Sequence, residues 1–161
     1  MLWRALLVFE NEKVSDKALI YTRELALRMD SEVTLLMLVE MPFQDGSHLA
    51  PKRTAIIELE KRMSTVLSKC SSELLKKGLV VGTALRIGVP AQEFWKFLAE
   101  RPPFQVVIWG SGDDQAERGP VLRNHWISKV AGKLECPLMT VTDKELKGLE
   151  SEIGRSWGER R

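Results

Sequence analysis

Cysteine and histidine are scarce in this 161-residue chain, with two of each. Cys70 falls in an apolar-periodic stretch and Cys136 directly before Pro137, while His48 and His125 have no partner at ligand spacing. A zinc site is not expected, and free, buried thiols in a reducing compartment are expected in place of a disulfide. An excess of one charge is also missing. Twenty-four Lys and Arg face twenty-two Asp and Glu, a net charge of +2, and the signs are interleaved. Such a chain carries no field of the kind that draws nucleic acid or an acidic membrane. No apolar run approaches the roughly 20 residues of a membrane span. The opening MLWRALLVFENE has one early Arg and no small-residue cleavage site, so a cytoplasmic protein is expected.

The motifs of common catalytic sites are absent too. There is no Gly-Lys-Ser/Thr phosphate loop and no Gly-x-Gly-x-x-Gly after the first strand. Gly110-Ser111-Gly112 is not a nucleophile elbow, because Trp109 and Asp113 stand where its outer glycines belong, and Ser111 reads as a turn residue. A phosphoreceiver domain needs an Asp at the end of its third strand, where this chain has Arg86, Ile87 and Gly88. No catalytic residue is assigned, and the expected activity is none, or at most slow ATP hydrolysis.

What is present is core. At 44% hydrophobic residues the chain can fill one domain, and it is too short for two. Trp3 to Phe9 is a short apolar run suited to a strand covered on both faces. Ser15 can cap a helix whose stripe is Val14, Ala18, Tyr21, Leu25 and Met29, ending near Asp30. Val33 to Val39 is a second strand, followed by a loop with Pro42, Asp45 and Gly46 that extends to about Lys52. Ile56, Leu59, Met63, Val66, Cys70 and Leu74 predict a long crossover helix closed by Gly78. Leu79 to Ile87 is a third strand, whose Thr83 and Arg86 suit a sheet edge. Pro90 opens a third helix with Phe94, Phe97 and Leu98 inward, and Pro102 and Pro103 end it. Val106 to Trp109 is a fourth strand. A fourth helix begins within Val121 to His125 and carries Ile127, Val130, Ala131 and Leu134 inward until Pro137, and Leu138 to Val141 is a fifth strand. This alternation demands right-handed parallel crossovers, hence a three-layer α/β/α sandwich with one switch point in strand order. Residues 1–142 form the domain and 143–161 a tail, a short helix that then frays.

Everything turns on Val106 to Ser128, where an apolar strand meets Gly110, a polar loop and an amphipathic helix. In a parallel sheet that corner presents backbone N–H groups and a helix dipole to a phosphate. The order and phrasing of the chain here resemble the universal stress protein family from Arg4 to Thr142. LLVFENEKVSDKAL at 6–19 is similar to its first strand and capped helix, SEVTLLMLVE at 31–40 to its second strand, IGVPAQEF at 87–94 to its Gly-x-Pro-Ala helix start, and VVIWGS with CPLMTV to its last two strands. The resemblance implies a five-stranded parallel sheet of order 3-2-1-4-5, of the adenine nucleotide alpha hydrolase type, and a homodimer formed through Leu138 to Thr142.

ATP-binding members of that family carry Gly, two residues, Gly, nine residues, then Gly with Ser or Thr. Gly110 matches the first Gly; the second falls at Asp113, and the final pair at Asn124 and His125, one residue late. A phosphate loop uses Gly to bring backbone close and a hydroxyl to donate, and neither role is filled in the usual way. Asp113 and Asp114 also set two carboxylates beside a triphosphate, which is unfavourable unless Mg²⁺ lies between them. The family's acidic residue after its first strand becomes Glu10, followed by Asn11 where Gly is usual, and Leu38 takes the place of the apolar adenine contact. Trp109 and Trp126 flank the loop as base-stacking or core residues, and Arg118, Arg123 and His125 are candidate replacement phosphate donors or ordinary loop charges.

Three functions follow. The first is a dimeric, non-catalytic stress or regulatory protein with a degenerate nucleotide site, no tight ATP binding and no cofactor. In the second, ATP or AMP with Mg²⁺ binds an altered site of Glu10, Leu38, Gly110, Asp113, Asn124 and His125. The third is an interaction module whose unknown protein partner reads the tail or the long helix.

Overall fold

The structure is a computed structural model that describes residues 3–41, 49–112 and 125–141. Among these described residues nine elements alternate in chain order: β1 (Trp3–Glu10), α1 (Asp16–Met29), β2 (Ser31–Glu40), α2 (Leu49–Leu75), β3 (Val81–Gly88), α3 (Pro90–Ala99), β4 (Val106–Trp109), α4 (Trp126–Ala131) and β5 (Leu138–Thr140). The sheet is parallel throughout, in the order β3-β2-β1-β4-β5. This is the expected topology, with the switch point between β1 and β4.

Side-chain alternation along β1 shows why the sheet has helices on both faces. Ala5, Leu7 and Phe9 join α1 and α2 in one core with Tyr21, Met63, Leu67 and Leu74. Leu6 and Val8 point the other way, into a second core with Phe94 and Phe97 of α3 and Ile127 and Val130 of α4. Burying one such Leu or Phe side chain stabilises the fold by about 1.5–3 kcal/mol. A strand apolar on both faces therefore has to sit in the middle of a sandwich.

Local signals set most of the boundaries. The Ser15 side chain accepts from Ala18 N–H at 3.2 Å to start α1, and Asp30, at φ 51°, closes it in the left-handed region. Pro90 stands at the first position of α3, where no N–H is needed. Three details differ from the sequence reading. First, α2 starts at Leu49, inside the expected loop, because Pro51 falls in the first turn, where the missing N–H costs nothing. Second, α4 stops at Ala131, well short of Pro137, and Ala131 is exposed. Third, Met29, the last residue of α1, is 38% exposed, because the apolar stripe has rotated off the sheet by the end of the helix. Cys70 is buried and Cys136 half-buried, both as free thiols, and burial pushes both thiols up from their ordinary pKa. The tail and Thr142 lie outside the described residues. Among the described residues no helix is long and apolar enough to cross a membrane.

Candidate functional site

β1 and β4 are the neighbours at which the strand order switches, and the carboxyl ends of such a pair are where a parallel α/β sheet presents a ligand crevice. Its floor is tied together tightly. Gly110 N–H donates to Val8 O at 2.6 Å, and Ser15 N–H donates to Gly110 O at 2.7 Å. The Ser111 hydroxyl accepts from Glu10 N–H and donates to Lys13 O, each at 2.6 Å. Ser111 is thus the joint between the loop after β1 and the loop after β4. Its role was not legible in the sequence, where those loops are about a hundred residues apart.

Gly110 is needed here for packing. A Cβ on it would lie 2.7 Å from the Phe9 ring and 2.8 Å from a Leu7 methyl. Asn11 and Glu12 carry the turn out of β1 at φ 50° and 67°. Asn is one of the few residues that enters this region readily, so it replaces the usual Gly at little cost. The Asn11 side chain also accepts from Glu40 N–H at 2.8 Å, and its own N–H donates to Leu38 O at 2.8 Å. Glu12 pairs with Arg62 of α2 through the Arg Nε at 2.9 Å and also through Nη2, a link across the mouth that raises the Arg62 pKa.

Of the sequence-predicted site residues, the fold brings Glu10 and His125 into contact. His125 Nε2 lies 2.9 Å from Glu10 Oε1, and Trp126 Nε1–H donates to the other oxygen, Oε2. His125 also caps α4, with its Nδ1 accepting from Ile127 N–H at 3.1 Å. A ring nitrogen that accepts carries no proton, so this geometry sets the Nε2–H tautomer and makes His125 a donor to Glu10. Both carboxylate oxygens and both imidazole nitrogens are thereby occupied within the chain.

Aromatic rings hold this arrangement from behind. Trp109 meets His125 and Trp126 edge-on, with centroids 5.0 and 6.0 Å apart, and Phe94 lies 5.6 Å from Trp126. Trp109 is 4% exposed and belongs to the core, while Trp126 is half-buried over the carboxylate. The Leu38 side chain is fully buried in the same core, and its backbone carbonyl is taken by Asn11. Asp113, Asn124, Arg118 and Arg123 lie outside the described residues.

No protein-family model and no curated protein matches the chain by sequence. Solved structures do match it by fold. A universal stress protein family member from Burkholderia pseudomallei aligns with a TM-score of 0.61 at 14% identity, over 86% of this chain and 94% of that one. The universal stress protein of Archaeoglobus fulgidus in complex with dAMP gives 0.54 at 20% identity, over 88% of this chain and 100% of that one. An Arabidopsis thaliana protein of the same family with AMP bound gives 0.53 at 13% identity, over 88% of this chain and 94% of that one. The chain therefore has the universal stress protein fold.

Proposed function

We propose, on the basis of this fold and of the carboxylate at its crevice, that the chain is a non-catalytic regulatory protein of the universal stress type whose nucleotide site is degenerate. The carrying observation is the engagement of Glu10 by His125 and Trp126. A carboxylate at the end of β1 orients a ligand hydroxyl by accepting from it. Here each oxygen already holds one donor, so a ligand hydroxyl has to use a remaining lone pair beside the indole and the imidazole. His125 likewise has no ring nitrogen left for a phosphate, and removing either partner from a half-buried polar pair leaves the other unsatisfied, at a cost of about 1–3 kcal/mol. ATP must repay that cost before it gains any affinity.

The solved relatives that hold dAMP and AMP favour a second reading. In it a nucleotide displaces the indole and imidazole, Glu10 takes the ribose, Leu38 lies by the base, and Gly110, Asp113, Asn124 and His125 surround the phosphates, with Mg²⁺ between Asp113 and Asp114. Calorimetric titration of nucleotide-stripped protein with Mg-ATP, and with ADP and AMP in parallel, separates the two. The degenerate site gives no saturable heat below millimolar nucleotide, and micromolar binding of Mg-ATP overturns it.

Assembly and location complete the proposal. Among the described residues β5 is a three-residue edge strand with Leu138, Met139 and Thr140 half-buried, and a sheet edge is a natural seam between copies. We place the homodimer there, through Leu138 to Thr142, in the cytoplasm. Light scattering that returned a monomer at high protein concentration would rule it out.

A further inference from the structure

At the opposite end of the sheet, where β4 and β5 begin, lies a cleft of about 330 Å³. Its walls come from the end of α3 and from the connections into β4 and β5: Trp95, Leu98, Phe104 and Leu134 supply an apolar lining. That volume and lining fall at the small end of the range of ligand pockets. Trp95 is 37% exposed, a large ring left partly in water among the described residues.

The charges at this cleft are asymmetric. Arg101 and Lys133 stand on its rim with Glu135. Arg101 is held by its own neighbour, with its guanidinium 4.4 Å above the Phe97 ring, and among the described residues neither Arg101 nor Lys133 has a carboxylate partner. The last carbonyls of α3 would oppose an anion, but those of Lys96, Phe97 and Leu98 already accept from the N–H groups of Glu100 and Arg101. A guanidinium fixed against an aromatic face is a preorganised donor for a carboxylate or sulfonate.

We propose that this cleft binds an amphipathic organic anion, its planar apolar body against Trp95, Leu98, Phe104 and Leu134 and its acidic group toward Arg101 and Lys133. The site is independent of the crevice at Glu10 and of whether a nucleotide binds there.

The test uses the full chain and two fluorescent probes, anionic anilinonaphthalene sulfonate and neutral phenylnaphthylamine. The expected result is saturable one-to-one binding of the anionic probe, unaffected by Mg-ATP and accompanied by slower alkylation of Cys136, which lines the cleft. Ala99→Trp, which fills the cleft from an exposed helix position, should abolish binding of both probes without changing the melting temperature appreciably. Arg101→Gln with Lys133→Gln should weaken the anionic probe at least tenfold and the neutral probe less than twofold. Binding that survives Ala99→Trp, or equal losses for both probes in the charge variant, overturns the proposal. Probe release on raising protein concentration also overturns it, since a second copy would then be what covers the cleft.

Discussion

Replacing Phe94 with Ala is expected to lower stability by about 3–5 kcal/mol, the range for emptying a fully packed aromatic site. For a domain of this length that is a fall in melting temperature of about 6–20 °C. Phe94 has no exposed surface and packs edge-on to Trp95 at 5.8 Å and obliquely on Trp126 at 5.6 Å. Its loss therefore opens a cavity in the core shared by α3 and α4 and removes the wall that keeps Trp126 over Glu10. Two readouts should move together: the urea midpoint falls, and Trp126 fluorescence shifts toward that of a hydrated indole. A melting temperature within two degrees of the parent, with an unchanged spectrum, would mean that this core is not packed as described.

Gly110→Ala is the second large effect, with an expected loss of about 1–3 kcal/mol from overpacking. The added methyl has nowhere to go: the Phe9 ring and Leu7 are closer than any real Cβ contact, and both are fully buried between the sheet and the helices behind it. The backbone conformation of Gly110 is itself ordinary, so the penalty is steric. It should therefore be partly recovered when Phe9 is trimmed to Leu. A double-mutant cycle measures that coupling, expected at about 0.5–3 kcal/mol for residues in direct contact. Additive effects would place the constraint elsewhere.

These two residues show what could be read in advance and what could not. Phe94 was assigned to the core because helical periodicity is local, and a stripe of apolar residues three and four apart leaves one way to face a sheet. The β-α alternation and the capping residues were readable for the same reason, and so was the strand order once the family resemblance was drawn. Gly110 stands out in the sequence as the first glycine of a phosphate-loop pattern; in the fold the neighbours that exclude a Cβ there are contributed by β1, about a hundred residues earlier. The start of α2 at Leu49 falls inside the loop expected to extend to about Lys52, because Pro51 is tolerated in a first turn.

The site was legible in part. Glu10 and His125 were both candidates, yet nothing in their spacing says that they touch each other. That contact exists because β1 and β4 are sheet neighbours with Leu7 opposite Ile108 and Val8 opposite Trp109, which brings the end of β1 under the first turn of α4. Trp126 was weighed as a base-stacking or filler residue. Its polar handle, the indole N–H, decides its place, because a half-buried tryptophan needs an acceptor and Glu10 supplies one. Ser111 and Asn11 acquire their roles in the same way, through hydrogen bonds to backbone groups that only the fold delivers.

The central claim is that the crevice carboxylate is already taken, and the indole proton of Trp126 reports it directly. In a ¹⁵N-resolved spectrum, with the resonance identified by its loss in Trp126→Phe, the account predicts a downfield indole N–H that moves upfield in Glu10→Gln. It also predicts that this resonance stays in place when AMP or Mg-ATP is added to millimolar concentration. An indole N–H at the position of a solvated tryptophan, or one that shifts saturably on micromolar addition of either nucleotide, would contradict it and return the crevice to nucleotide binding.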